Sequence, residues 1–353
     1  MLVEEVVPMT RTSPTPATGE NTHIDRTPRV HDVIVVGGGA AGLSGALTLA
    51  RARRDVLVVD AGRPRNAPAA HMHGYLSRDG EDPSALLATG RGEVTAHGGR
   101  ITQGEVESAA RLPDGGFEVR LADGRDLHAR RLLVTTGLVD ELPAVPGVAE
   151  RWGKDVLHCP YCHGWEVRDR AVGILATSPM ALHQAQMWRQ WTDDVTLFLH
   201  EEPAPDAPTH AALDARGVRV VDGPVEALDV QEGSLRGVRL TSGEVVPCDA
   251  LVVAPRFTAR SAVLESLGIE TAEQVVDGTV VGTYVPSDPM GATSLPGVRV
   301  AGNVTNIMAQ VVAAAAAGVQ AAAATNGDLI ADDVRRALAD VPVDTRQATA
   351  DKG

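Results

Sequence analysis

The sequence predicts an α/β protein made of two Rossmann-like domains of the three-layer ββα, dinucleotide-binding type, one of which interrupts the other. Three observations predict this fold class. A βαβ unit with a glycine-rich turn begins at residue 31, and a second α/β unit that carries a Cys-x-x-Cys sequence begins near residue 152. From about residue 264 the chain resumes the pattern of the first domain and ends it with a strand and an alanine-rich helix.

The composition is that of an acidic globular protein with a sizeable core. Of its 353 residues, 44% are hydrophobic, and the formal net charge is −14. Such a charge argues against binding to nucleic acid or to an anionic membrane surface. No apolar run reaches the ~20 residues that span a bilayer, and no signal-peptide pattern is visible. We therefore expect a cytoplasmic protein with neither nucleic acid nor membrane as a partner.

The domain limits are predicted from where these patterns begin and end. Residues 1–30 are rich in Thr, Pro and charge, and they are expected to form a disordered tail. Residues 31–148 and 256–330 form the predicted first domain, which is discontinuous, and residues 149–255 form the smaller inserted domain. Residues 331–353 are expected to be a polar C-terminal tail.

In both domains the secondary structure is predicted from hydrophobic periodicity and turn residues. In the first domain the predicted elements are a strand at 32–36, a helix to about 53, a strand at 56–59, a helix at about 83–97 and, after two hairpin turns, a strand at 132–134. In the inserted domain they are a strand at 172–175, a helix at 180–191 and a strand at 195–199. The return to the first domain ends with a strand at 298–301 and a helix at about 309–325.

The turn after the first strand has the spacing of a dinucleotide fingerprint, Gly-x-Gly-x-x-Gly. Its first glycine permits a tight turn, its second lets a pyrophosphate approach the backbone, and its third lets helix and strand pack closely. An acidic residue at the end of the next strand is placed to hold ribose hydroxyls. Together these features predict a bound dinucleotide, with contacts from Gly37, Gly39, Ala40, Gly42 and Asp60.

The Cys-x-x-Cys sequence consists of Cys159 and Cys162, flanked by His158 and His163. This spacing can close a small disulfide, and it can lower the pKa of one thiol so that a thiolate exists at neutral pH. Either histidine could hold or accept a thiol proton. A zinc site is the alternative, but it needs four ligands and no second Cys or His pair has suitable spacing. We expect no metal, and we expect Cys248 to pack as a small hydrophobe.

Residues 31–330 resemble the low-molecular-weight thioredoxin reductases. The resemblance is carried by the glycine fingerprint, Thr135-Thr136-Gly137, the Cys-x-x-Cys of the inserted domain and a terminal Ala-Gly-Asn sequence. Those enzymes usually have Gly-Asp where this chain ends in Gly-Asn, a neutral isostere that still donates and accepts hydrogen bonds. The resemblance implies a homodimer whose first domain binds FAD, with further contacts from Thr136, Gly137, Gly302, Asn303 and Gln310.

The same resemblance implies roles for the two thiols. Cys162 would be the thiol that reacts with the flavin, and Cys159 would be the outer thiol that exchanges with substrate. Thioredoxin reductases have Asp directly after the second Cys, as a proton donor. His163 stands there in this chain, and we transfer the acid–base role to it as a hypothesis.

The inserted domain lacks the glycines that a nicotinamide cofactor needs. A thioredoxin reductase reads Gly-x-Gly-x-x-Ala after the first strand of this domain, whereas this chain has Ala176 and Ser178 at the glycine positions and then Pro179. After the next strand, Glu201 and Glu202 replace the basic pair that holds a 2′-phosphate, which carboxylates would repel. We therefore expect that NADPH does not bind, with a degenerate but working site as the alternative.

Without a nicotinamide cofactor, the simplest partner for the flavin is O₂. Residues 159–166, Cys-Pro-Tyr-Cys-His-Gly-Trp-Glu, resemble a branch of the family: the dithiol oxidases that close disulfides in gliotoxin-, holomycin- and romidepsin-type natural products. This resemblance implies a small-molecule dithiol and O₂ as substrates, with release of H₂O₂. A thioredoxin reductase fed by NADPH or ferredoxin, and a slow-turnover flavin redox sensor, are the alternatives.

Aromatic residues cluster in sequence around the redox pair. Tyr161 and Trp165 lie in the Cys-x-x-Cys segment, and we expect them to line a substrate pocket. Trp188 and Trp191 are three residues apart, a spacing that favours packing of one helix face into the core.

Overall fold

The structure is a computed structural model that describes residues 29–341. The predicted disordered tail, residues 1–30, lies outside the described residues except for its last two positions, of which Val30 begins the first strand. Residues 342–353 of the predicted C-terminal tail also lie outside them.

The first domain is built on a seven-stranded sheet. Its strands are β1 (Val30–Val36), β2 (Val56–Asp60), β3 (Arg100–Gln103), β4 (Val106–Arg111), β5 (Phe117–Leu121), β6 (Asp126–Val134) and β19 (Val298–Val300). Six lie in the order β3-β2-β1-β6-β5-β4, and β19 pairs with β6. The pairs from β3 to β6 and the pair of β6 with β19 are parallel, whereas β4, β5 and β6 run antiparallel.

A four-stranded sheet lies where the chain leaves the first domain and returns to it. It contains β7 (Leu138–Glu141), β16 (Arg256–Ala259), β17 (Ala272–Val276) and β18 (Thr279–Tyr284), in the order β17-β18-β16-β7. The outgoing strand β7 pairs antiparallel with the returning strand β16. The two connections to the inserted segment are therefore held side by side.

The inserted segment forms a five-stranded parallel sheet and a three-stranded antiparallel sheet. The first contains β8 (Val156–Leu157), β9 (Val172–Leu175), β10 (Val195–Phe198), β11 (Val218–Val221) and β15 (Ala250–Val252), in the order β11-β10-β9-β15-β8. The second contains β12 (Val225–Gln231), β13 (Ser234–Leu240) and β14 (Val245–Pro247). The parallel sheet grows outward from β9 and then crosses back to β15, which is the Rossmann arrangement.

The described helices are α1 (Ala40–Arg51), α2 (Pro83–Ala96), α3 (Val148–Arg151), α4 (Pro160–His163), α5 (Met180–Trp188), α6 (Ala207–Ala215), α7 (Ala262–Glu265) and α8 (Val311–Asp340). A short 3₁₀ helix covers Gly302–Val304. Among residues 29–341, no helix combines the length and the apolar character needed to cross a membrane. The predicted fold class, two Rossmann-like domains in one α/β chain, is confirmed by these sheets.

The core of the first domain has two layers, one on each face of the seven-stranded sheet. On β1, Val33 and Val35 face a cluster that includes residues of α1 and α8, whereas Ile34 and Val36 face the opposite cluster around Phe117. This alternation is the period of a strand that is buried on both faces.

Helices α1 and α8 pack so closely that their backbones touch. A Cβ on Gly318 of α8 would lie 2.0 Å from the carbonyl oxygen of Ala41 in α1, and a Cβ on Gly45 would lie 3.1 Å from the carbonyl oxygen of Gly318. The small side chains of α8 permit this approach. The start of α8 is thereby fixed beside the glycine-rich turn that precedes α1.

The structure differs from the prediction at the C-terminal end. Helix α8 ends at Asp340 rather than near residue 325, so the predicted end of this helix is wrong and residues 331–340 of the predicted polar tail are helical. Asp332 and Asp333 pair with Arg130 of β6 at 2.7 and 2.5 Å. Their partner lies about two hundred positions away in sequence, which is why the polar run looked unpartnered. The domain limits stay a prediction.

Candidate active site

The predicted site residues surround one cavity of about 880 Å³, whose walls come from the first domain and from the inserted segment. Of the predicted residues only Gly42 is absent from its walls. The predicted residues that line the cavity are Gly37, Gly39, Ala40, Asp60, Thr136, Gly137, His158, Cys159, Cys162, His163, Gly302, Asn303 and Gln310.

The glycine-rich turn between β1 and α1 has backbone contacts that only glycine allows. Gly37 has a φ of 103°, and a Cβ there would lie 2.6 Å from the carbonyl oxygen of Thr135. A Cβ on Gly42 would lie 1.9 Å from the carbonyl oxygen of Gly37. In contrast, no atom lies within 4 Å of where a Cβ on Gly39 would stand. The turn therefore leaves room beside Gly39, at the start of α1, for a pyrophosphate.

Asp60, at the end of β2, is held by the same turn. Its Oδ1 accepts hydrogen bonds from the N–H groups of Gly38 and Gly62, both at 3.2 Å. Its Oδ2 lies 3.5 Å from Arg91 of α2. A Cβ on Gly38 would lie 2.6 Å from the Asp60 carboxyl group, so this position also requires glycine. Gly38 and Arg91 were not predicted, because the fingerprint leaves its second position open and does not reach α2.

The segment Thr135–Gly137 ties the end of β6 to both sides of the cavity. The hydroxyl of Thr135 donates to the carbonyl oxygens of Val36 and Gly37, at 3.0 and 2.9 Å. The hydroxyl of Thr136 donates to the carbonyl oxygen of Arg260, at 2.6 Å, on the returning part of the chain. Thr135 is buried and was also not predicted as a site residue.

Asn303 uses its amide as a hydrogen-bond donor. Its Nδ2 lies 3.0 Å from the carbonyl oxygen of Asn306 and 2.9 Å from that of Ala309, in the turn that leads into α8. A carboxylate has no proton to donate to these carbonyls. The neutral side chain thus fits this turn where the family resemblance leads one to expect Asp, and it fixes the backbone that precedes Gln310.

The redox turn is the short helix α4 with Cys159 at its N-cap. Pro160 begins the helix because its fixed φ suits a first helical position. The N–H of Cys162 donates to the carbonyl oxygen of Cys159, at 3.1 Å. Both cysteines are half-buried thiols, so the predicted pair lies together on the wall of the cavity.

The two thiols differ in acidity. The Cys162 thiol donates a hydrogen bond to Cys159, and this bond, with the backbone N–H groups of Tyr161 and Cys162, lowers the pKa of Cys159 to about 7. The same side-chain hydrogen bond, together with burial, raises the pKa of Cys162. In the dithiol state the first negative charge therefore resides on Cys159.

Gln310, the N-cap of α8, joins the redox turn to the first domain. Its Nε2 lies 3.9 Å from Cys162 Sγ, within the range of a hydrogen bond to sulfur. This amide also lowers the pKa of both cysteines, although it is a smaller cause than their mutual hydrogen bond. Gln310 is thus a contact of the redox pair as well as a residue of the cavity wall.

His158 is held in one orientation. Its Nδ1 lies 3.1 Å from the carbonyl oxygen of Val253, and its ring packs edge-on against Phe257 with 5.2 Å between ring centroids. Because a carbonyl oxygen only accepts, Nδ1 carries the proton and Nε2 is left free to accept one. Burial lowers the pKa of His158, so the neutral ring, which can act as a base, predominates at neutral pH.

His163 follows Cys162 and lies among charged neighbours. Burial lowers the pKa of His163, and the nearby Glu166 opposes that shift. Glu166 Oε1 also lies 3.4 Å from Nε2 of His73, whose Nδ1 lies 3.5 Å from Asp79. His73 therefore links a loop of the first domain to the redox segment, a contact that sequence spacing did not indicate.

We expect the reduced protein to be alkylated at Cys159 with a midpoint near pH 7, because the thiolate is the reacting form. The rate with iodoacetamide, followed by mass spectrometry, should rise through that pH and then level off. Cys162→Ala removes the thiol donor and should move the midpoint upward toward the ordinary ~8.5. A midpoint near 8.5 in the parent protein, or no shift in the variant, would contradict this origin of the acidity.

A second, smaller cavity of about 200 Å³ lies against the outer side of the redox turn. Tyr161 and Trp165 line it, with exposed fractions of 66% and 64%; their role in a substrate pocket stays a prediction. Trp188 is fully buried, as its helical spacing predicted, but the prediction is wrong for Trp191. Helix α5 ends at Trp188, so Trp191 lies beyond it, lines the small cavity and packs edge-on against Tyr161.

The strand-turn-helix of the inserted segment keeps its Rossmann geometry without the expected glycines. Ala176 follows β9 and is buried, with its N–H donating to the carbonyl oxygen of Phe198. Pro179 occupies the N-cap of α5 and offers no N–H group there. Glu201 is exposed after β10. Ala176, Pro179 and Glu201 thus stand where glycines, a free N–H group and a positive charge would favour a nicotinamide phosphate.

Potential metal ligands do not converge in the described part of the chain. Within residues 29–341, no group of three or more His, Cys, Asp or Glu side chains could hold a metal ion. The zinc alternative therefore finds no ligand set around Cys159 and Cys162.

Comparison with known proteins identifies relatives that match most of this chain. Residues 31–318 match the family model described as pyridine nucleotide-disulphide oxidoreductase. Thioredoxin reductase tcpT of Claviceps purpurea is 30% identical over 322 residues, which cover 87% of this chain and 96% of that protein. Thioredoxin reductase sirT of Leptosphaeria maculans is 30% identical over 325 residues, covering 87% and 97%.

Two solved structures are similar along most of the chain. The crystal structure of HlmI superposes with a TM-score of 0.82 at 47% identity, covering 92% of this chain and 98% of that one. An oxidoreductase from Agrobacterium tumefaciens superposes with a TM-score of 0.79 at 36% identity, covering 86% and 99%. The likeness to thioredoxin reductases that the motifs indicated is confirmed by these relatives.

Proposed function

The chain belongs to the pyridine nucleotide-disulphide oxidoreductase family, and we propose that it is an FAD-dependent dithiol oxidase which closes a disulfide within a small-molecule dithiol. One observation carries this proposal. A glycine cradle suited to a dinucleotide and a Cys-x-x-Cys pair share one cavity, while the second nucleotide turn of the chain lacks its glycines. The first arrangement supports flavin-linked thiol chemistry, and the second argues against a nicotinamide donor.

The residues of the first domain fit a bound FAD. The open space beside Gly39 and the N-terminus of α1 would accept the pyrophosphate, and Asp60 would accept ribose hydroxyls. Gly302 and Asn303 lie at the other end of the cradle, in front of α8. When bound, FAD supplies a two-electron acceptor that passes its electrons to O₂ and so yields H₂O₂.

The side chains around the redox turn account for the sulfur chemistry. A substrate thiolate attacks Cys159 Sγ of the oxidised pair, the Cys159–Cys162 bond breaks, and Cys162 leaves as a thiolate. The second substrate thiol then attacks the substrate sulfur of the mixed disulfide, which releases Cys159 and forms the product disulfide. Two electrons and two protons thereby pass from substrate to protein. Nε2 of His158 is free to accept one of those protons, and His163 is the second candidate.

A thioredoxin reductase is the second candidate function. It is favoured by the Rossmann strand order of the inserted segment, which would be the framework for a nicotinamide site. The buried Ala176 and the proline at the N-cap of α5 count against NADPH, but a ferredoxin donor would not need that turn. A slow-turnover redox sensor is a third reading. A homodimer in the cytoplasm remains part of the proposal.

The amounts of O₂ consumed and H₂O₂ formed for each dithiol distinguish the oxidase, the reductase and the sensor. The flavin-loaded protein is mixed with a small dithiol, dihydrolipoamide, and O₂ uptake, H₂O₂ and free thiols are measured together. The oxidase predicts repeated turnover, with one O₂ consumed and one H₂O₂ formed for each dithiol oxidised. A reductase predicts that turnover requires NADPH or ferredoxin and thioredoxin. A sensor predicts that the reaction stops after about two dithiols per flavin, one for the Cys159–Cys162 disulfide and one for FAD.

We expect the substrate body to occupy the small cavity, and we expect that cavity to disfavour anions. Its aromatic walls lie beside the carboxylates of Asp79 and Glu166, with Arg168 stacked outside on Trp165 at 4.1 Å. Dihydrolipoamide should therefore be oxidised about fivefold or more faster, in kcat/KM, than dihydrolipoate, which differs by a carboxylate. Glu166→Gln should narrow that ratio. A preference for dihydrolipoate would contradict this placement.

A further inference from the structure

The small cavity beside the redox turn has walls from two separate parts of the chain. His73, Gly74 and Asp79 belong to the first-domain loop between β2 and α2, whereas the other walls belong to residues 159–166 and to Trp191 of the inserted segment. A pocket of this kind keeps its shape only while its two walls stay together. The contacts between the walls therefore decide how well a ligand fits.

The loop that carries His73 is anchored near both of its ends. Close to its start, Arg65 donates from Nε and Nη2 to the two carboxylate oxygens of Asp140 in β7, at 2.8 and 2.6 Å. Further along, the N–H of Met72 donates to the carbonyl oxygen of Glu81, at 2.9 Å, and closes a β-bridge. His73 follows directly after this bridge, so its position is well defined.

His73 stands between a carboxylate of its own loop and a carboxylate of the redox segment. Its Nδ1 lies 3.5 Å from Asp79 Oδ1, and its Nε2 lies 3.4 Å from Glu166 Oε1. The His73 side chain is 17% exposed, so it is largely shielded from water. Asp79 is oriented by a hydrogen bond from the N–H of Gly74, at 2.8 Å. Among residues 29–341, His73 is also the one that lines both cavities.

The number of protons on the His73 ring decides how many of these contacts are attractive. An imidazolium has an N–H on each nitrogen and can donate to both carboxylates, whereas a neutral ring turns a lone pair towards one of them. The other titratable groups that face it are His71, with 6.4 Å between ring centroids, and His163. His71 Nδ1 lies 3.0 Å from the carbonyl oxygen of Gly80, and burial lowers the pKa of His163.

We infer that His73, as an imidazolium, is a positioning residue that clamps the two walls of the small cavity together and so sets the affinity for the substrate body. The inference rests on the proposed function in taking this cavity as the place of that body. Cys159 lines the main cavity and not the small one. A substrate that reaches Cys159 from the small cavity therefore extends its sulfur past His73, the residue at the boundary.

The test measures the Kd of lipoamide, the cyclic disulfide of dihydrolipoamide, for oxidised, flavin-loaded protein by tryptophan fluorescence. Lipoamide has no titratable group and exchanges no thiol with the oxidised pair, so any change of its Kd with pH belongs to the protein. In the parent protein the Kd should rise about threefold or more between about pH 6 and about pH 8.5. His73→Gln should bind weakly throughout this range. His73→Lys, which stays charged and has three N–H donors, should bind tightly throughout it.

His210→Gln is the matched control. His210 lies 3.2 Å from Asp214 on helix α6, outside both cavities, and its substitution should change neither the Kd nor the pH dependence. In turnover with dihydrolipoamide, His73→Gln should raise KM about threefold or more and change kcat less. A Kd of the parent protein that is constant with pH, or a His73→Lys variant that binds as weakly as His73→Gln, would overturn the inference.

Hydrogen exchange of the ligand-free, flavin-loaded protein tests the clamp without any substrate. His73→Gln should speed exchange in residues 72–81 about threefold or more, and His73→Lys should leave it near that of the parent protein. Equal exchange in all three proteins would overturn the clamp. If lipoamide did not bind to the parent protein, the proposed place of the substrate would fail, and the exchange rates would still decide whether His73 holds the two walls.

Discussion

Cys162→Ser should retain its flavin and lose dithiol-dependent turnover by about three orders of magnitude or more. A serine hydroxyl cannot form the disulfide that accepts electrons from the substrate, while the glycine cradle lies on other elements and is unchanged. Turnover is measured as O₂ uptake with dihydrolipoamide, and flavin content by absorbance. Cys159→Ser should show the same loss, because the substrate must attack that sulfur.

Cys248→Ser is the matched control for this loss. Cys248 is 2% exposed, and burial raises its pKa to about 12, so it is no nucleophile at neutral pH. This variant should keep full turnover in folded protein. Substantial activity in Cys162→Ser, or a comparable loss in Cys248→Ser at normal flavin content, would contradict the assignment of the redox pair.

A second large effect is expected from two alanine substitutions in the glycine-rich turn. A Cβ on Gly42 would lie 1.9 Å from a backbone oxygen, so Gly42→Ala should lower the melting temperature and abolish flavin binding. A Cβ on Gly39 meets no protein atom within 4 Å. Gly39→Ala should therefore leave the flavin-free protein as stable as before, yet weaken FAD binding by about 1–3 kcal/mol, or about fivefold to 150-fold.

These variants are compared by flavin titration and by thermal unfolding of flavin-free protein. Gly92→Ala provides the control, since Gly92 lies in helix α2 with no atom near its Cβ position. An alanine in a helix interior is favourable, so neither stability nor flavin affinity should fall. If Gly39→Ala bound FAD as tightly as the parent protein, the pyrophosphate would not lie where the cradle suggests.

The sequence predicted those parts of the site that are defined by short-range spacing. Short-range spacing defines the fingerprint glycines, Asp60 and the Cys-x-x-Cys turn, because each depends on neighbours within one βαβ unit or one helical turn. The sequence pattern is therefore enough to predict the chemistry of these groups. Gly38 is the exception within the fingerprint. Its need for glycine arises from Asp60, which approaches it from the next strand.

Contacts between residues that are far apart in the sequence could not be predicted from local sequence patterns. Arg65 and Asp140 are separated by 75 positions and come from a loop and from strand β7. Nothing in the spacing of either residue indicates a partner. The end of α8 was predicted too early for the same reason, because Asp332 and Asp333 pair with Arg130, which is distant in sequence.

The structure gives a reason for the neutral side chain of Asn303 that the sequence alone does not give. The sequence suggested a neutral substitute for an expected Asp. The structure adds that the amide donates to the carbonyl oxygens of Asn306 and Ala309, which a carboxylate cannot do. The residue type therefore follows from the shape of the turn before α8, which no motif encodes.

The direction of electron flow is the central claim, and anaerobic reduction of the flavin tests it most directly. The purified yellow protein is mixed under nitrogen with dihydrolipoamide, with NADPH or with NADH, and flavin absorbance is recorded. The account predicts rapid bleaching by the dithiol alone, followed by recovery of the colour and release of H₂O₂ when air is admitted. Rapid bleaching by NADPH or NADH would contradict it, because a working nicotinamide site would make the protein a reductase of disulfides.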